Sequence, residues 1–256
     1  TLVDQLFRQS GLFRDNQSVD ERIMDSMDLE RERGITIAAK NCSVTWNETK
    51  INILDTPGHA DFGGEVERAL MMVDGVILLV DASEGPLPQT RFVLKKALEG
   101  QKIVLVVVNK IDRQDARAAE VLDEIYDLFI DLDANEEQLE FPVLYAIGKD
   151  GIAKYELEDQ SADLHPLFDT IIKELPAPKH TPEEPFQMLV ADLDYSDYLG
   201  QLAIGRVANG TVAKNEQLVC IGEGDKENPL RASKVQVYEG FTMQEVEKIE
   251  PGEIMI

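Results

Sequence analysis

Three short apolar runs, each followed by a helix-like pattern, constrain the fold of this chain more than any other feature. The runs are INIL at residues 51–54, GVILLV at residues 75–80 and IVLVVV at residues 103–108. Continuous apolar runs of this length indicate strands that are buried on both faces. Strands that alternate with helices are typical of a parallel sheet. The sequence therefore predicts an α/β domain with a mostly parallel sheet and helices on both faces.

The segment that leads into the first apolar run predicts an exception to the parallel arrangement. CSVTW at residues 42–46 is followed by the polar stretch NETK and then by INIL. Two apolar runs joined by a short polar turn indicate a hairpin. One antiparallel hairpin is therefore expected in this domain.

A proline-rich segment predicts a domain boundary. PAPKHTPEEP, at residues 176–185, has four prolines and no apolar periodicity, which is typical of an extended, stiff linker. Short strand-like runs with turn signals follow it, among them Asn209-Gly210 at a predicted hairpin turn, and this pattern indicates a small β-barrel. We predict a first domain at residues 1–177, a linker at residues 178–185 and a β-barrel domain at residues 186–256.

The composition limits the partners and the compartment. With 49 acidic residues against 25 Lys and Arg, the formal net charge of −24 should repel bulk nucleic acid and anionic membranes. Any contact with RNA is therefore expected to be local. The only two cysteines, Cys42 and Cys220, lie far apart, which favours a reducing, cytoplasmic compartment and argues against a cysteine metal site. The apolar runs are too short to span a bilayer, so no membrane segment is expected.

The stretch DTPGH, residues 55–59, follows the first apolar run. In α/β sheets ligands bind beyond the carboxyl ends of the strands, so Asp55 should point into the binding crevice. Its carboxylate is suited to hold Mg²⁺ through a water, and the N–H of Gly58 is free to approach a phosphate oxygen. The alternative is a capped turn with an incidental histidine.

The stretch NKID, Asn109–Asp112, ends the third apolar run. A carboxylate at Asp112 can accept hydrogen bonds from N1–H and the 2-amino group of guanine, whereas adenine offers neither donor. Asn109 would brace the neighbouring loops and the stem of Lys110 would lie on the face of the base. On its own, NKID is equally compatible with a polar turn at a strand end. The order and spacing of DTPGH and NKID, with RGITI upstream, favour a nucleotide site that also includes Ile111.

Longer stretches around these motifs resemble the translational GTPases. They are RIMDSMDLERERGITIAAKN, INILDTPGHADFGGEVERAL, GPLPQTRFVLKKA, NKIDR and, in the predicted barrel, FQMLVADLDYSDYLGQLAIGRV. Within that class they are most similar to the ribosome-associated TypA family, also called BipA. The resemblance covers essentially the whole chain. It implies a P-loop-NTPase-type GTPase domain followed by a β-barrel like the second domain of elongation factors.

The resemblance also implies roles at the matching positions. Thr36 would ligate Mg²⁺ and close over the γ-phosphate, and Ile35 would form one side of a hydrophobic gate beside the attacking water. Asp55 and Gly58 match the second switch. His59 matches the histidine that positions and stabilises that water, because this transition state is reached mainly by positioning and charge stabilisation.

As a whole, the resemblance implies a cytoplasmic, monomeric enzyme that hydrolyses GTP to GDP and phosphate. Its cofactor would be Mg²⁺ and its partner the ribosome, with rRNA contacts mainly through domains outside this sequence. No membrane partner is implied.

Two departures from the family pattern affect the expected affinity. In the family a phosphate loop ending in Gly-Lys-Thr precedes a TLVD segment, so Thr1 would be the residue that reaches the α-phosphate, and this polypeptide is expected to bind GTP weakly or not at all. Ile147-Gly148 stands where the family usually has Ser-Ala. The N–H of Gly148 can still reach guanine O6, but the serine hydroxyl that steadies the loop is missing.

Two alternatives remain. One is a translation factor of the elongation factor G or LepA type, although the residues between Asp112 and the linker leave no room for the subdomain inserted in elongation factor G. The other is a GTPase-like module that binds a partner without hydrolysis, which the altered Ile147-Gly148 pair favours weakly.

Overall fold

The computed structural model describes residues 1–12, 24, 30, 32, 36, 38–57, 63–178, 181 and 183–256. The chain divides into two compact units. The first comprises Thr1–Lys40 and Val44–Pro176, and the second comprises Asn41–Ser43 and Ala177–Ile256.

The described residues up to Pro176 contain helices and strands in the alternating order that the apolar runs predict. In chain order the elements described are α1 (Leu2–Gln9), β1 (Lys40–Trp46), β2 (Thr49–Asp55), α2 (Gly63–Met72), β3 (Gly75–Asp81), α3 (Pro88–Glu99), β4 (Ile103–Asn109), α4 (Ala118–Asp131), α5 (Glu136–Leu139), β5 (Val143–Ile147), β6 (Ile152–Lys154) and α6 (His165–Glu174). Among the described residues, no helix combines the length and the apolarity that crossing a bilayer requires.

Strands β3 to β6 form a four-stranded sheet in sequence order. Strand β4 pairs in parallel with β3 and β5, while the short β6 pairs antiparallel with β5. The register places Asp81 opposite Asn109 and Asn109 opposite Ala146. The carboxyl ends of three parallel strands therefore lie side by side, which is where α/β sheets bind their ligands.

The core of this unit explains why the runs fold as they do. Residues 104–108 of β4 are at most 5% exposed, as expected for a central strand covered on both faces. Helix α4 buries Val121, Ile125, Leu128 and Phe129, a helical spacing that makes one apolar stripe. These side chains pack in one cluster with α3 and with strands β3 to β5. The predicted α/β fold is confirmed.

The predicted hairpin is present as β1 and β2, which form a two-stranded sheet of their own among the described residues. The connecting residues Asn47 and Glu48 both have positive φ, 45° and 62°. Two successive left-handed residues are typical of the type I′ turn, whose twist matches that of the strands it joins.

The second unit is built of antiparallel strands. They are β7 (Gln187–Ser196), β8 (Gly200–Asn209), β9 (Val212–Ala213), β10 (Gln217–Ile221), β11 (Glu227–Arg231), β12 (Gln236–Glu239), β13 (Thr242–Glu245), β14 (Lys248–Ile249) and β15 (Ile254–Met255). The described strands give one five-stranded sheet in the order β13-β12-β15-β8-β7 and two pairs, β10 with β11 and β14 with β9. Buried valines at positions 207, 212, 235 and 237 share its core. A small all-β domain is confirmed.

The predicted hairpin at Asn209-Gly210 takes a different form. Gly210 has φ of 61°, so the chain does turn there, but β9 pairs with β14. A Cβ at Gly210 would lie 2.5 Å from the carbonyl oxygen of Glu184 and 2.6 Å from the nitrogen of Phe186. The glycine is therefore required by the close approach of the incoming chain, and β9 finds its partner far along the sequence.

Candidate guanine nucleotide site

The parallel register brings the carboxyl ends of three strands together. Asp81 ends β3, Asn109 ends β4 and Ile147 ends β5. The loops that follow them, which include Lys110 and Gly148, therefore lie at one edge of the sheet. The structure thus assembles the predicted NKID and Ile147-Gly148 segments at the position where a ligand is expected.

Asn109 links two of these loops. Its side-chain Oδ1 accepts a hydrogen bond of 2.9 Å from the N–H of Gly148, and its carbonyl accepts one of 2.8 Å from the N–H of Ala82. The N–H that the sequence predicts for guanine O6 is therefore used within the protein in this structure. A Cβ at Gly148 would lie 3.1 Å from Oδ1 of Asn109, so the small residue allows this close approach.

Lys110 has an unusual backbone conformation. Its φ of 62° lies in the left-handed region, which a lysine adopts rarely. The Nζ atom lies 2.7 Å from Oδ2 of Asp81. After Lys110, the N–H of Ile111 donates to the carbonyl of Ala146 over 3.3 Å, and that of Arg113 donates back to the carbonyl of Lys110 over 3.2 Å. The loop is thus held to β3 and to β5.

Asp112 lies at the surface of the site and carries an ion pair. Its Oδ2 accepts a hydrogen bond of 2.6 Å from Nζ of Lys149, and the Lys149 side chain is 63% exposed. That hydrogen bond lowers the pKa of Asp112 below its ordinary value of 3.8. The carboxylate is therefore charged at neutral pH, as an acceptor for two donors of a guanine ring must be.

Asp81 is a residue that the motifs did not single out. Its side chain is only 10% exposed. Burial acts to raise its pKa, but hydrogen bonds from Lys110, Ser83 and the N–H of Glu84 outweigh that effect and hold the pKa well below its ordinary value. The available signal was its position: like Asp55, it is an acidic residue that ends an apolar run.

Helix α1 is attached to the loop after β5. Thr1 lies at its start, where its carbonyl accepts a 3.2 Å hydrogen bond from the N–H of Gln5. The side chain of Gln5 donates to the carbonyl of Lys149 over 2.8 Å, and that of Gln9 donates to the carbonyl of Gly151 over 2.7 Å. Helix α1 therefore links Thr1, the predicted α-phosphate contact, to the loop after β5.

The remaining predicted residues are those expected to contact Mg²⁺ and the γ-phosphate. Asp55 ends β2, and both Asp55 and Thr36 are partly buried. Carboxylate and hydroxyl oxygens are the donors that Mg²⁺ prefers, so these residue types fit that ion. Ile35, Gly58 and His59 lie outside the described residues.

A mostly parallel, helix-covered sheet with polar loops at the carboxyl ends of its strands defines an α/β nucleotide-binding domain. More narrowly, the chain belongs to the elongation factor Tu GTP binding domain family, whose sequence pattern matches residues 1–177.

Similarity to individual proteins extends over the whole chain. The chain is 55% identical over 255 residues to the large ribosomal subunit assembly factor BipA of Bacillus subtilis. The identity to BipA of Synechocystis is 51%, and to that of Escherichia coli K12 it is 49%. Each comparison covers 100% of this chain but 42%, 43% and 42%, respectively, of the relative. The chain thus spans less than half the length of these relatives.

Solved structures support the fold. The bacterial selenocysteine-specific elongation factor EF-Sec superposes with a TM-score of 0.69 at 21% identity, over 90% of this chain and 37% of that one. Translation elongation factor SelB from Methanococcus maripaludis, in complex with a GTP analogue, gives 0.68 at 18% identity, over 86% and 45%. At such identities the likeness establishes the fold alone.

Proposed function

We propose that this chain is the guanine nucleotide-binding part of a ribosome-associated translational GTPase that hydrolyses GTP to GDP and phosphate. The observation that carries the proposal is that the Asn109–Asp112 loop and Gly148 meet at the carboxyl ends of strands β4 and β5. The similarity to BipA proteins supports the ribosome as the partner.

On the base side, Asp112 selects guanine. Its two carboxylate oxygens accept from N1–H and the 2-amino group, and an adenine ring would leave the charge unpaired. Lys149, which pairs with Asp112 in this structure, moves aside when the base enters. Lys110 covers the base with its aliphatic stem, and Ile111 and Ile147 complete the loops around the ring. The N–H of Gly148, which donates to Asn109 in this structure, turns to O6 when the base enters.

On the phosphate side, Thr1 contacts the α-phosphate at the start of α1, and Gly58 offers its N–H to the γ-phosphate. Thr36 and Asp55 would hold Mg²⁺, which when bound supplies charge neutralisation to the phosphates. Ile35 shields the attacking water and His59 orients it. The chain's contribution to the rate is therefore positioning and electrostatic stabilisation.

The same proposal includes the compartment, the oligomeric state and the domain boundaries of the protein. We place the protein in the cytoplasm as a monomer, with residues 1–177 as the GTPase domain, residues 178–185 as linker and residues 186–256 as β-barrel. The net charge of −24 disfavours broad RNA contact by this part, so ribosome binding is expected to be local here.

The test is phosphate release by the full-length protein, with and without ribosomes, with ATP as the control nucleotide. We expect guanine-selective turnover that ribosomes stimulate and that His59→Ala reduces by about a hundredfold or more, since a lost positioning group costs this much. Background turnover with ribosomes demonstrably bound would replace the proposal with the non-hydrolysing module.

A further inference from the structure

Asp81 is a carboxylate, only 10% exposed, that the proposed nucleotide chemistry does not use. It ends β3, next to Asn109 in the sheet register. Its two carboxylate oxygens have different partners: one contacts the turn after β3, and the other faces the predicted guanine loop.

The Oδ1 atom builds the turn that follows β3. It accepts hydrogen bonds from the N–H of Ser83 over 2.8 Å, from the hydroxyl of Ser83 over 2.7 Å and from the N–H of Glu84 over 3.4 Å. A carboxylate that caps its own turn in this way is a local structural feature.

The Oδ2 atom faces the predicted guanine loop instead. It lies 2.7 Å from Nζ of Lys110 and 3.6 Å from a guanidinium nitrogen of Arg113. Lys110 is in the left-handed conformation, which persists only where the surroundings fix it. The ion pair adds a side-chain contact to the backbone hydrogen bonds that hold this loop, from Ile111 to Ala146 and from Arg113 to Lys110.

We propose that Asp81 is a positioning residue that sets the affinity for guanine nucleotides without touching them. Through Lys110 it holds the Asn109–Asp112 loop in the conformation that presents Asp112 and the lysine stem to the base. The inference rests on the proposed function, since it concerns the same site.

The test compares Asp81→Asn with the wild type in the full-length protein, using a fluorescent GDP analogue. Asparagine keeps an acceptor oxygen for Ser83 and Glu84, but its neutral amide cannot form the ion pair with the Lys110 ammonium. We expect the dissociation constant to rise about five- to tenfold, as the loss of an ion pair between a mostly buried carboxylate and a half-exposed ammonium implies. The KM for GTP should rise by the same factor while kcat at saturating GTP stays unchanged. Asp115→Asn is the matched control, because Asp115 pairs with Arg113 at the surface of the same loop.

A double-mutant cycle with Lys110→Met separates positioning from general damage to the fold. If Asp81 acts through Lys110, Asp81→Asn should change the affinity of the Lys110→Met protein by less than about twofold. An equal loss in both backgrounds would overturn the proposal, as would unchanged affinity of Asp81→Asn.

Two further outcomes have defined meanings. If Asp81→Asn does not fold, Lys110→Met breaks the same pair from its exposed side, and unchanged affinity of that variant overturns the inference. If the wild type itself binds no guanine nucleotide, the proposed function fails and the role of Asp81 fails with it. If the wild type binds guanine nucleotide and Asp81→Asn binds it equally well, only the role of Asp81 is overturned and the proposed function stands.

Discussion

Asp112 and Lys149 form an ion pair at the mouth of the candidate guanine site. The pair keeps the carboxylate charged, and it also means that a base must compete with an ammonium group for the same oxygens. Selectivity at this position therefore depends on which donors the base presents to a charged acceptor.

Replacing Asp112 by Asn should change the base preference from guanine to xanthine. The amide nitrogen of asparagine donates to the 2-oxo group of xanthine, whereas it faces the 2-amino group of guanine with a second donor. We expect the affinity for GDP to fall by about a hundredfold or more and that for XDP to rise, as expected when a buried donor or acceptor is left unpaired. Competition binding with both nucleotides measures this. A parallel loss of both affinities would mean that Asp112 supports the loop instead of reading the base.

The β1-β2 hairpin contains a turn whose conformation suits one of its two residues poorly. Asn47 tolerates a positive φ because its short polar side chain can hydrogen-bond locally. Glu48 also has a positive φ, 62°, but its longer side chain lacks this compensation. The element therefore carries a local energetic cost that a single substitution can remove.

Glu48→Gly should raise the free energy of unfolding by about 0.5–1 kcal/mol, because Asn-Gly is the preferred pair for a type I′ turn. Urea unfolding of the chain measures the change. Glu48→Ala is the control, since alanine removes the carboxylate but keeps the Cβ. A similar gain in both variants would assign the effect to charge and not to backbone conformation.

The elements differ in how far local sequence determines them. The runs that became β2, β3 and β4 were predictable because each is an uninterrupted apolar pattern of strand length, although only the central strand β4 is buried on both faces. The three-residue strand β6 was not, because so short a segment has no period to read. The pairing of β9 with β14 also escaped prediction, because Asn209-Gly210 specifies a turn but not the partner of the next strand.

The residues of the candidate site also differ in how far local sequence reveals them. Asn109, Lys110 and Asp112 form a contiguous motif and could be recognised, whereas the role of Asp81 depends on a neighbour on another strand. Gln5 contacts a carbonyl 144 positions away, and no local pattern predicts such a pair. The roles assigned to all the predicted site residues, and the domain boundaries, stay predictions, and Ile35, Gly58 and His59 lie outside the described residues.

Paired carboxylates are distributed over the whole molecule. In the first unit Asp81, Asp112 and Asp115 have lowered pKa values, and in the second unit hydrogen bonds from Lys214 and Lys234 lower that of Glu245. A carboxylate with a lowered pKa in the folded state stabilises that state above its unfolded pKa. The stabilisation is lost as the pH falls towards the folded value.

Acid should therefore weaken the native state, and Asp81 should account for a measurable share. We expect wild type and Asp81→Asn to differ in free energy of unfolding at about pH 6 and to converge as the pH falls below the ordinary aspartate value near 3.9. Urea unfolding at several pH values gives the two curves. Parallel curves would show that the Asp81 carboxylate contributes no pH-dependent stability.

Helix α1 has a consequence at the scale of the whole nucleotide site. It is eight residues long, a stiff rod of about 12 Å, with Thr1 at one end and glutamines that grip the loop after β5 along its length. If Thr1 contacts the α-phosphate as we propose, a base that fits poorly against that loop would also displace the helix that carries this contact. A wrong base would then lower the rate of hydrolysis as well as the affinity.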